Sequence, residues 1–284
     1  MTYDATRGHV LLFGGSGPGG TPLGDLWAWD GRTWTLLAPA GGPAPRDGAV
    51  LVHDDRRGRT VLFGGRAGDG ARGDTWEWDG ARWHRMEAVG PAPRVHAGAA
   101  FDPARGVTTL FGGVGEGNRL YADTWTWDSA VWRLVDSAGP PGTAPNGMTY
   151  DPVERRLWLL VSTIGAPAPG EGFGSELFEW SGVAWRKSDV PPPSLEPIQP
   201  IAPTGDGGLL LFDGQAAATW AGSGGRWARL DAPGPSARSG HALAFDAARG
   251  RVVLFGGGDG TGRLADTWEW DGTQWSRTGT TMVR

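Results

Sequence analysis

The sequence predicts an all-β protein made of six copies of one four-stranded unit. The chain has 284 residues, of which 50 are glycine and 22 are proline. This composition suits short strands joined by frequent turns and disfavours helical packing. In addition, an apolar run ending in Phe-Gly-Gly recurs along the chain, and a tryptophan-rich segment follows it. Self-similarity at a fixed period indicates a repeat architecture.

The period of the repeat is close to 50 residues. Two weaker copies of the apolar run, LLVST at Leu159–Thr163 and LLFDG at Leu210–Gly214, complete the set of six. The residues taken as equivalent are Phe13, Phe63, Phe111, Val161, Phe212 and Phe255, with successive spacings of 50, 48, 50, 51 and 43. The predicted units of this single domain are approximately residues 1–40, 41–88, 89–137, 138–188, 189–231 and 232–284.

Each unit is predicted to contain four strands in chain order. In the third unit a first strand, His96–Asp102, passes through a tight DPARG turn into a second strand that ends at Phe-Gly-Gly. A variable loop then leads to the tryptophan-rich third strand, and a two-residue turn leads to a fourth strand beginning at Trp132. Aspartate followed by glycine favours such a turn, because the pair tolerates the positive φ values of tight hairpins.

The third strand carries the heptad DTWEWDG at Asp74–Gly80 and again at Asp266–Gly272. Tryptophan beside carboxylates is also what a sugar-binding platform or an acid/base pair would present. Trp76 and Trp78 are two residues apart, so they point to one face of the strand, whereas Glu77 points to the other. All but one of the 17 tryptophans follow the repeat, so the heptad is predicted to be scaffold and a lectin-like function is disfavoured.

The paired glycines after phenylalanine are expected to let a neighbouring backbone or a large ring approach closely at the end of the second strand. A tryptophan from an adjacent strand is the ring we expect there. Units four and five lack the glycine pair, and Trp158 in unit four is the tryptophan outside the repeat pattern.

The four-stranded unit resembles the kelch repeat: an apolar strand ends in Gly-Gly, a strand with paired aromatics follows, and a spaced tryptophan comes last. Four units carry the glycine pair, all six carry the late tryptophan, and the resemblance covers nearly all of the chain. The resemblance implies a six-bladed kelch-type β-propeller, with four antiparallel strands per blade arranged around a central channel. Copper oxidases with a kelch-like fold depend on a cysteine, which this chain lacks.

The first unit begins late in its first strand, and about four residues of that strand are missing relative to the other units. The position of Arg284 matches that of Arg46, Arg94 and Arg238 in their units. Two explanations stay open: the C-terminal tail completes the first blade, or the sequence is trimmed.

Propellers of the resembled kind usually bind ligands on the face built from the loops before the first strand and the loops between the second and third strands. The candidate binding residues on those loops are Arg46, Arg94, His96, Asn146, Arg238, His241, Arg119 and Arg263. Arginine can bind a carboxylate or phosphate through two parallel hydrogen bonds. The alternative is that these arginines bond to loop carbonyls and neighbouring aspartates, and sequence alone does not choose between the two.

His96 and His241 are the candidate catalytic residues, because imidazole can serve as a general acid or base. They fall in units three and six, half a ring apart, which is too far for two ligands of one metal ion. No metal site is predicted, and hydrogen bonding to strand ends is the favoured role of these two residues. His9, His53 and His84 map to other strands and are expected to form no cluster.

The repeat is most irregular in units four and five. The segments Ser162–Gly174 and Ser188–Gly205 are long, and the second is rich in proline. Long loops without regular structure are often functional. Drift of a redundant blade is the equally open alternative.

Composition excludes several functional classes. The net charge is −5 and arginines are scattered, so nucleic acid is not an expected partner. The absence of cysteine removes disulfides and thiol nucleophiles. No apolar run is long enough to span a membrane, and the lack of a signal peptide on this chain favours the cytoplasm. No cofactor is expected, and the protein is predicted to be a monomer.

Two functions remain open from sequence. The first is a kelch-repeat binding module that recognises a protein, peptide or small ligand on the loop face. The second is a carbohydrate- or small-molecule-transforming enzyme of the epimerase, lyase or cyclase type with a pocket at the channel mouth. No GxSxG, HExxH or P-loop motif supports a specific reaction.

Overall fold

The computed structural model describes residues 1–38, 41–140, 143–163, 174–193, 200–223 and 226–279. Residues 164–173 and 194–199 of the two irregular loops of units four and five therefore lie outside the described residues, as does Arg284. The chain forms two compact units, Met1–Pro141 and Gly142–Arg284. Each unit contains three four-stranded antiparallel sheets, in which every strand pairs with its neighbours in chain order.

The first unit contains blades 1 to 3, whose strands are called first to fourth in chain order. Blade 1 has strands Thr2–Asp4, His9–Ser16, Pro22–Trp29 and Trp34–Ala38; blade 2 has Val50–Asp54, Arg59–Phe63, Thr75–Trp78 and Trp83–Met86; blade 3 has Gly98–Asp102, Val107–Val114, Leu120–Trp127 and Trp132–Asp136. Short 3-10 turns, Pro18–Gly20 and Glu116–Asn118, precede the third strands of blades 1 and 3. In blade 2 this place is taken by a hairpin of Arg66–Ala67 and Gly70–Ala71.

The second unit contains blades 4 to 6. Blade 4 has strands Thr143–Asp151, Arg156–Thr163, Ser175–Trp180 and Trp185–Lys187; blade 5 has Ile201–Pro203, Leu209–Asp213, Ala218–Ser223 and Arg226–Leu230; blade 6 has Ala242–Asp246, Arg251–Phe255, Thr267–Trp270 and Trp275–Arg277. A hairpin of Gly258–Asp259 and Gly262–Arg263 precedes the third strand of blade 6. The predicted fold class is confirmed: the protein is all-β, with six four-stranded antiparallel blades of a β-propeller. In the described part of the chain, no helix has the length and apolar character needed to cross a membrane.

Strand pairing corrects the predicted alignment of blade 4. Leu160 pairs with Leu177, three residues before Trp180, just as Phe63 pairs with Thr75, three residues before Trp78. Leu160 therefore occupies the phenylalanine position, and the prediction of Val161 was wrong by one residue. The error arose because the Phe-Gly-Gly signature is absent from this blade, so nothing in the local sequence marked the register.

The turn between the third and fourth strands is longer than predicted. Trp78 pairs directly with Trp83, which leaves a loop of residues 79–82 instead of a two-residue turn. The Asp79 carboxylate accepts hydrogen bonds from the backbone N–H groups of Ala81 and Arg82, both at 2.8 Å. Only Gly80 has a positive φ, 99°. The Asp79 backbone N–H also donates to the Arg82 carbonyl at 3.2 Å, so aspartate closes the loop with both its side chain and its backbone.

The core lies between neighbouring blades, where the second aromatic residue of the third-strand pair, a tryptophan, is buried in every blade except blade 5. Trp78 of blade 2 is 2% exposed and packs in a cluster with Leu11 and Ala28 of blade 1. Trp127 of blade 3 packs in the same way with Val61 of blade 2. The predicted scaffold role of the tryptophans is consistent with this packing, because large indole rings fill the space between successive sheets.

The carboxylate of the heptad links a blade to the next one along the chain. Glu77 in blade 2 accepts a hydrogen bond from the Trp127 indole N–H of blade 3 at 2.9 Å. The guanidinium of Arg57 holds the same carboxylate through two bonds of 2.8 and 2.9 Å. Trp132 of blade 3 donates to the Thr75 hydroxyl, also at 2.9 Å. The two faces of the heptad therefore bind opposite neighbours.

We predict that Trp78→Ala destabilises the protein by about 3–5 kcal/mol, because it removes a buried ring and leaves a cavity between two blades. Urea unfolding followed by circular dichroism measures the loss. The control is Val183→Ala, which changes a side chain that is 78% exposed and should alter stability by less than about 0.5 kcal/mol. A loss for Trp78→Ala equal to that of the control would contradict the packing described above.

Candidate functional site

We call the segment that precedes the first strand of a blade its lead-in loop. In blades 2, 3 and 6 this loop contains an arginine. Arg94 of blade 3 is 1% exposed. Its guanidinium binds both oxygens of Asp123, at 2.6 and 3.0 Å, and donates to the carbonyls of Ala92 and Gly112 at 2.9 Å. Asp123 lies in the third strand of the same blade, where it also accepts the Trp125 indole N–H at 2.8 Å. The arginine therefore ties the lead-in loop to the third strand.

The same arrangement recurs in blades 2 and 6. Arg46 binds both oxygens of Asp74 at 2.6 and 3.0 Å, and Arg238 binds Asp266 at 2.7 and 3.0 Å. Burial would raise the pKa of the Asp123 carboxyl, but hydrogen bonds from Arg94 and Trp125 outweigh it and hold that pKa below its ordinary value. The pKa of Asp74 and that of Asp266 are lowered by the same balance.

The backbone of the lead-in loop binds the preceding blade. The Arg94 carbonyl accepts the Gly65 N–H at 2.9 Å, and the Arg94 N–H donates to the Arg72 carbonyl at 3.0 Å. A Cβ on Gly64 would lie 2.6 Å from the Arg94 carbonyl oxygen, so a larger residue does not fit. The ring expected at the glycine pair, a tryptophan, was wrong: a backbone carbonyl takes that place. The late tryptophans pack instead on lead-in glycines such as Gly90, whose Cβ would lie 2.4 Å from Trp132.

These contacts match the second of the two roles considered for the arginines, bonding to carbonyls and aspartates. Their binding of an external ligand stays a prediction. Arg119 and Arg263, on the loops between second and third strands, are exposed. Arg119 lies over the Tyr121 ring at 5.1 Å. The backbone of Asn146 lies at a β-bulge of the first strand of blade 4, and its side chain lies outside the described residues.

His96 stands out among the lead-in loops because of its backbone. Gly48 in blade 2 and Gly240 in blade 6 occupy the same place, two residues after the arginine, with φ values of 63° and 66°. His96 has φ 53° at this place. A left-handed conformation costs an L-residue roughly 1–2 kcal/mol that glycine avoids. Blade 3 therefore carries an imidazole at a cost to stability, and such strain is concentrated at functional sites.

Polar groups of blades 1 and 2 surround this imidazole. Atoms of the His96 ring lie 3.0–3.3 Å from where a Cβ on Gly48 would be, so the ring rests on that lead-in loop. Asp47 accepts the Ser16 hydroxyl at 3.0 Å. The Asp47 and Arg66 backbones exchange two hydrogen bonds, and the Arg66 side chain is exposed. We call Ser16, Asp47, Arg66 and His96 the His96 cluster.

The electrostatics of the cluster favour a neutral imidazole near pH 7. Burial lowers the pKa of His96, the Asp47 carboxylate opposes this, and Arg66 adds to it. The net shift is downward. A neutral ring offers one donor and one acceptor nitrogen, and Asp47 and Arg66 add an acceptor and a donor. The cluster can therefore form several directed hydrogen bonds with one ligand.

His241 occupies a different position from His96. It aligns with Ala49 and Ala97, one residue further along the lead-in loop, and it is 6% exposed. Its ring meets the Phe212 ring edge-on, with centroids 5.4 Å apart. Burial, aided by Arg238, lowers its pKa to about 3. Its proposed catalytic role stays a prediction.

A second polar cluster was missed from sequence. His53 and His9 both approach the buried Asp4, with ring nitrogens 3.3 and 3.7 Å from its two oxygens. His53 also contacts the hydroxyls of Thr60 and Thr6 at 3.0 and 3.3 Å. The expectation that the histidines form no cluster was wrong for His9 and His53, because Asp4 pairs with His9 within blade 1 and His53 of blade 2 packs against the same carboxylate. Within the described residues, no three acidic or histidine side chains converge as a metal-binding group.

No protein-family model matches the chain, and no curated protein matches it. The β-propeller fold is shown by the blades, and the likeness to the kelch repeat stays a resemblance in sequence.

We predict that His241 makes the protein sensitive to acid. Its pKa falls from 6.5 when exposed to about 3 when folded. As pH falls, the unfolded chain therefore binds a proton at His241 before the folded protein does. The contribution of neutral His241 to the free energy of unfolding is complete above about pH 6.5 and is lost as pH falls toward 3. His241→Ala, which restores the alanine of blades 2 and 3, should give a shallower loss of stability across this window.

Urea unfolding at about pH 7, 5.5 and 4.5 measures the two slopes. The slopes rather than the absolute stabilities are compared, because removal of the ring also alters packing. The buried aspartates Asp74, Asp123 and Asp266 are present in both proteins and titrate at lower pH. Equal slopes in the two proteins would contradict a buried neutral His241.

Proposed function

We propose that the protein is a kelch-type binding module, and that a peptide or small polar ligand binds at the His96 cluster on the loop face. The observation that carries the proposal is the left-handed conformation of His96 at a place where two sister blades use glycine. A residue that lowers stability is retained where its side chain serves another purpose. Hydrogen bonding to a ligand is such a purpose for imidazole.

The neighbours of His96 support the same proposal. Asp47 and Ser16 are partly exposed and Arg66 is exposed, so ligand groups can reach them. By contrast, Arg46 and Arg94 are each 1% exposed and already bind aspartates, which leaves them poorly suited to a first contact. We therefore place the ligand against His96, Asp47 and Arg66, with the two buried arginines fixing the loops that carry these residues.

The experiment is a screen of short peptides and polar fragments by ligand-observed NMR, followed by titration against His96→Gly. We predict that binding weakens at least tenfold, because the imidazole is lost. The fold should be equally stable or up to about 1 kcal/mol more stable, because glycine relieves the left-handed strain. Arg82→Ala, which changes an exposed arginine in the turn of blade 2, serves as the binding control.

Two outcomes would contradict the proposal. One is a ligand of the loop face whose affinity is the same for wild type, His96→Gly and Asp47→Asn. The other is a loss of stability in His96→Gly of more than about 1 kcal/mol, since the imidazole would then be a structural element.

A second candidate function is enzymatic, and one observation favours it. The pKa of His96 is lowered by burial, and the Asp47 carboxylate is its nearest acidic influence. A neutral imidazole of this kind can take a proton from a bound substrate, as an epimerase or lyase requires. Turnover of a carbohydrate or other small molecule that is lost in both His96→Gly and His96→Gln would favour this alternative over simple binding.

A further inference from the structure

Blade 5 lacks the buried third-strand tryptophan of the other blades. Gly222 pairs with Trp227 across the hairpin, just as Trp78 pairs with Trp83 in blade 2. Gly222 therefore occupies the tryptophan position. The indoles that fill this position in the other blades are each at most 3% exposed, and they belong to Trp29, Trp78, Trp127, Trp180 and Trp270.

The residue of blade 4 that faces this position has a larger side chain than its counterparts in the other blades. In other blades a residue two positions before the second-strand phenylalanine packs in the same cluster as the next blade's tryptophan: Val61 with Trp127, and Leu210 with Trp270. In blade 4 that residue is Trp158, which pairs with Glu179 as Val61 pairs with Glu77. Large and small side chains have changed places between blades 4 and 5. The tryptophan that fell outside the sequence repeat thus has a structural partner, Gly222.

The exchange leaves a cleft between blades 4 and 5. It has a volume of about 80 Å³ and is lined by Trp158, Gly222 and Trp227, with buried Leu177 and Leu209 beside them. Exposed Ser223 and Arg226 also line it, and Arg226 is the charged residue of the lining. The guanidinium of Arg156 lies 4.9 Å from the centroid of the Trp158 ring, which helps to hold that ring in place.

We propose that this cleft binds a small planar aromatic carboxylate. The repeat itself indicates the occupant, because an indole side chain stands at the position of Gly222 in each of the other blades and lies between two blades. A cavity that encloses benzene measures roughly 150 Å³, so a cleft of this size takes part of a ring and leaves its substituent outside. Arg226 then meets the carboxylate, which arginine binds through two parallel hydrogen bonds. This site shares no residue with the His96 cluster and does not depend on it.

The test uses indole-3-acetate as the probe and isothermal titration calorimetry as the measurement. The wild-type protein should bind it saturably with one site. The variant Gly222→Trp combined with Trp158→Val restores the repeat, fills the cleft with a side chain and should abolish binding. Val183→Trp adds an indole at an exposed turn of blade 4 and should leave binding unchanged. Circular dichroism and thermal melting establish that each variant is folded.

If the double variant does not fold, Gly222→Leu fills part of the cleft and should weaken binding at least tenfold. Arg226→Gln should weaken indole-3-acetate at least fivefold while leaving neutral indole unaffected. Unchanged binding in the filled variants would overturn the cleft as the site, and equal effects of Arg226→Gln on the two probes would overturn the carboxylate contact. Binding of a tryptophan-containing peptide without binding of indole-3-acetate would overturn a small-molecule ligand.

Discussion

The arrangement of the lead-in loops depends on one ion pair, between the buried loop arginine and a partly exposed aspartate just before the first tryptophan of the third strand. In blade 3 the guanidinium of Arg94 binds both oxygens of Asp123 and two backbone carbonyls, while its own backbone is bonded to blade 2. A buried charge is costly unless it is paired and its remaining hydrogen bonds are satisfied. The pair therefore dictates several features of the repeat at once: aspartate before the first tryptophan, glycine after phenylalanine, and arginine in the lead-in loop.

This constraint explains why departures from the repeat are informative. Where arginine, aspartate and the glycine pair hold the loop, the residue two places after arginine adopts a left-handed backbone, and glycine is the choice without strain. His96 takes that place in blade 3, where glycine would avoid the strain. The combination of Trp158 in blade 4 with Gly222 in blade 5 is a departure of another kind, because these two residues line a cleft between their blades.

The sequence predicted the fold well because the same four-stranded unit occurs six times along the chain. The four-stranded unit, the burial of the tryptophans and the scaffold role of DTWEWDG all follow from periodicity and strand alternation. The register of blade 4 did not follow, because Leu160 stands where the signature phenylalanine is missing. The aspartate partners of Arg46 and Arg94 also could not be predicted from periodicity, since each aspartate lies 28 or 29 residues away along the chain.

The candidate site was only partly predictable for a related reason. His96 and His241 were grouped by residue type, whereas alignment on the loop arginines separates them by one position and would have matched His96 with Gly48 and Gly240. That signal was present in the sequence. The opposite changes in side-chain size at Trp158 and Gly222 could not be predicted, nor could the contacts of His9 and His53 with Asp4. Both depend on strand pairing and on packing between blades, which a single sequence does not display.

The central claim is that the lead-in arginine is a structural element and that function lies in departures from the repeat. A double-mutant cycle on Arg94 and Asp123, with each residue changed to alanine singly and together, measures it most directly. We predict a coupling energy of about 2 kcal/mol by urea unfolding, because Asp123→Ala leaves the buried Arg94 guanidinium without its charged partner. A coupling energy below about 0.5 kcal/mol would contradict the claim, since the arginine would then be free to serve a ligand.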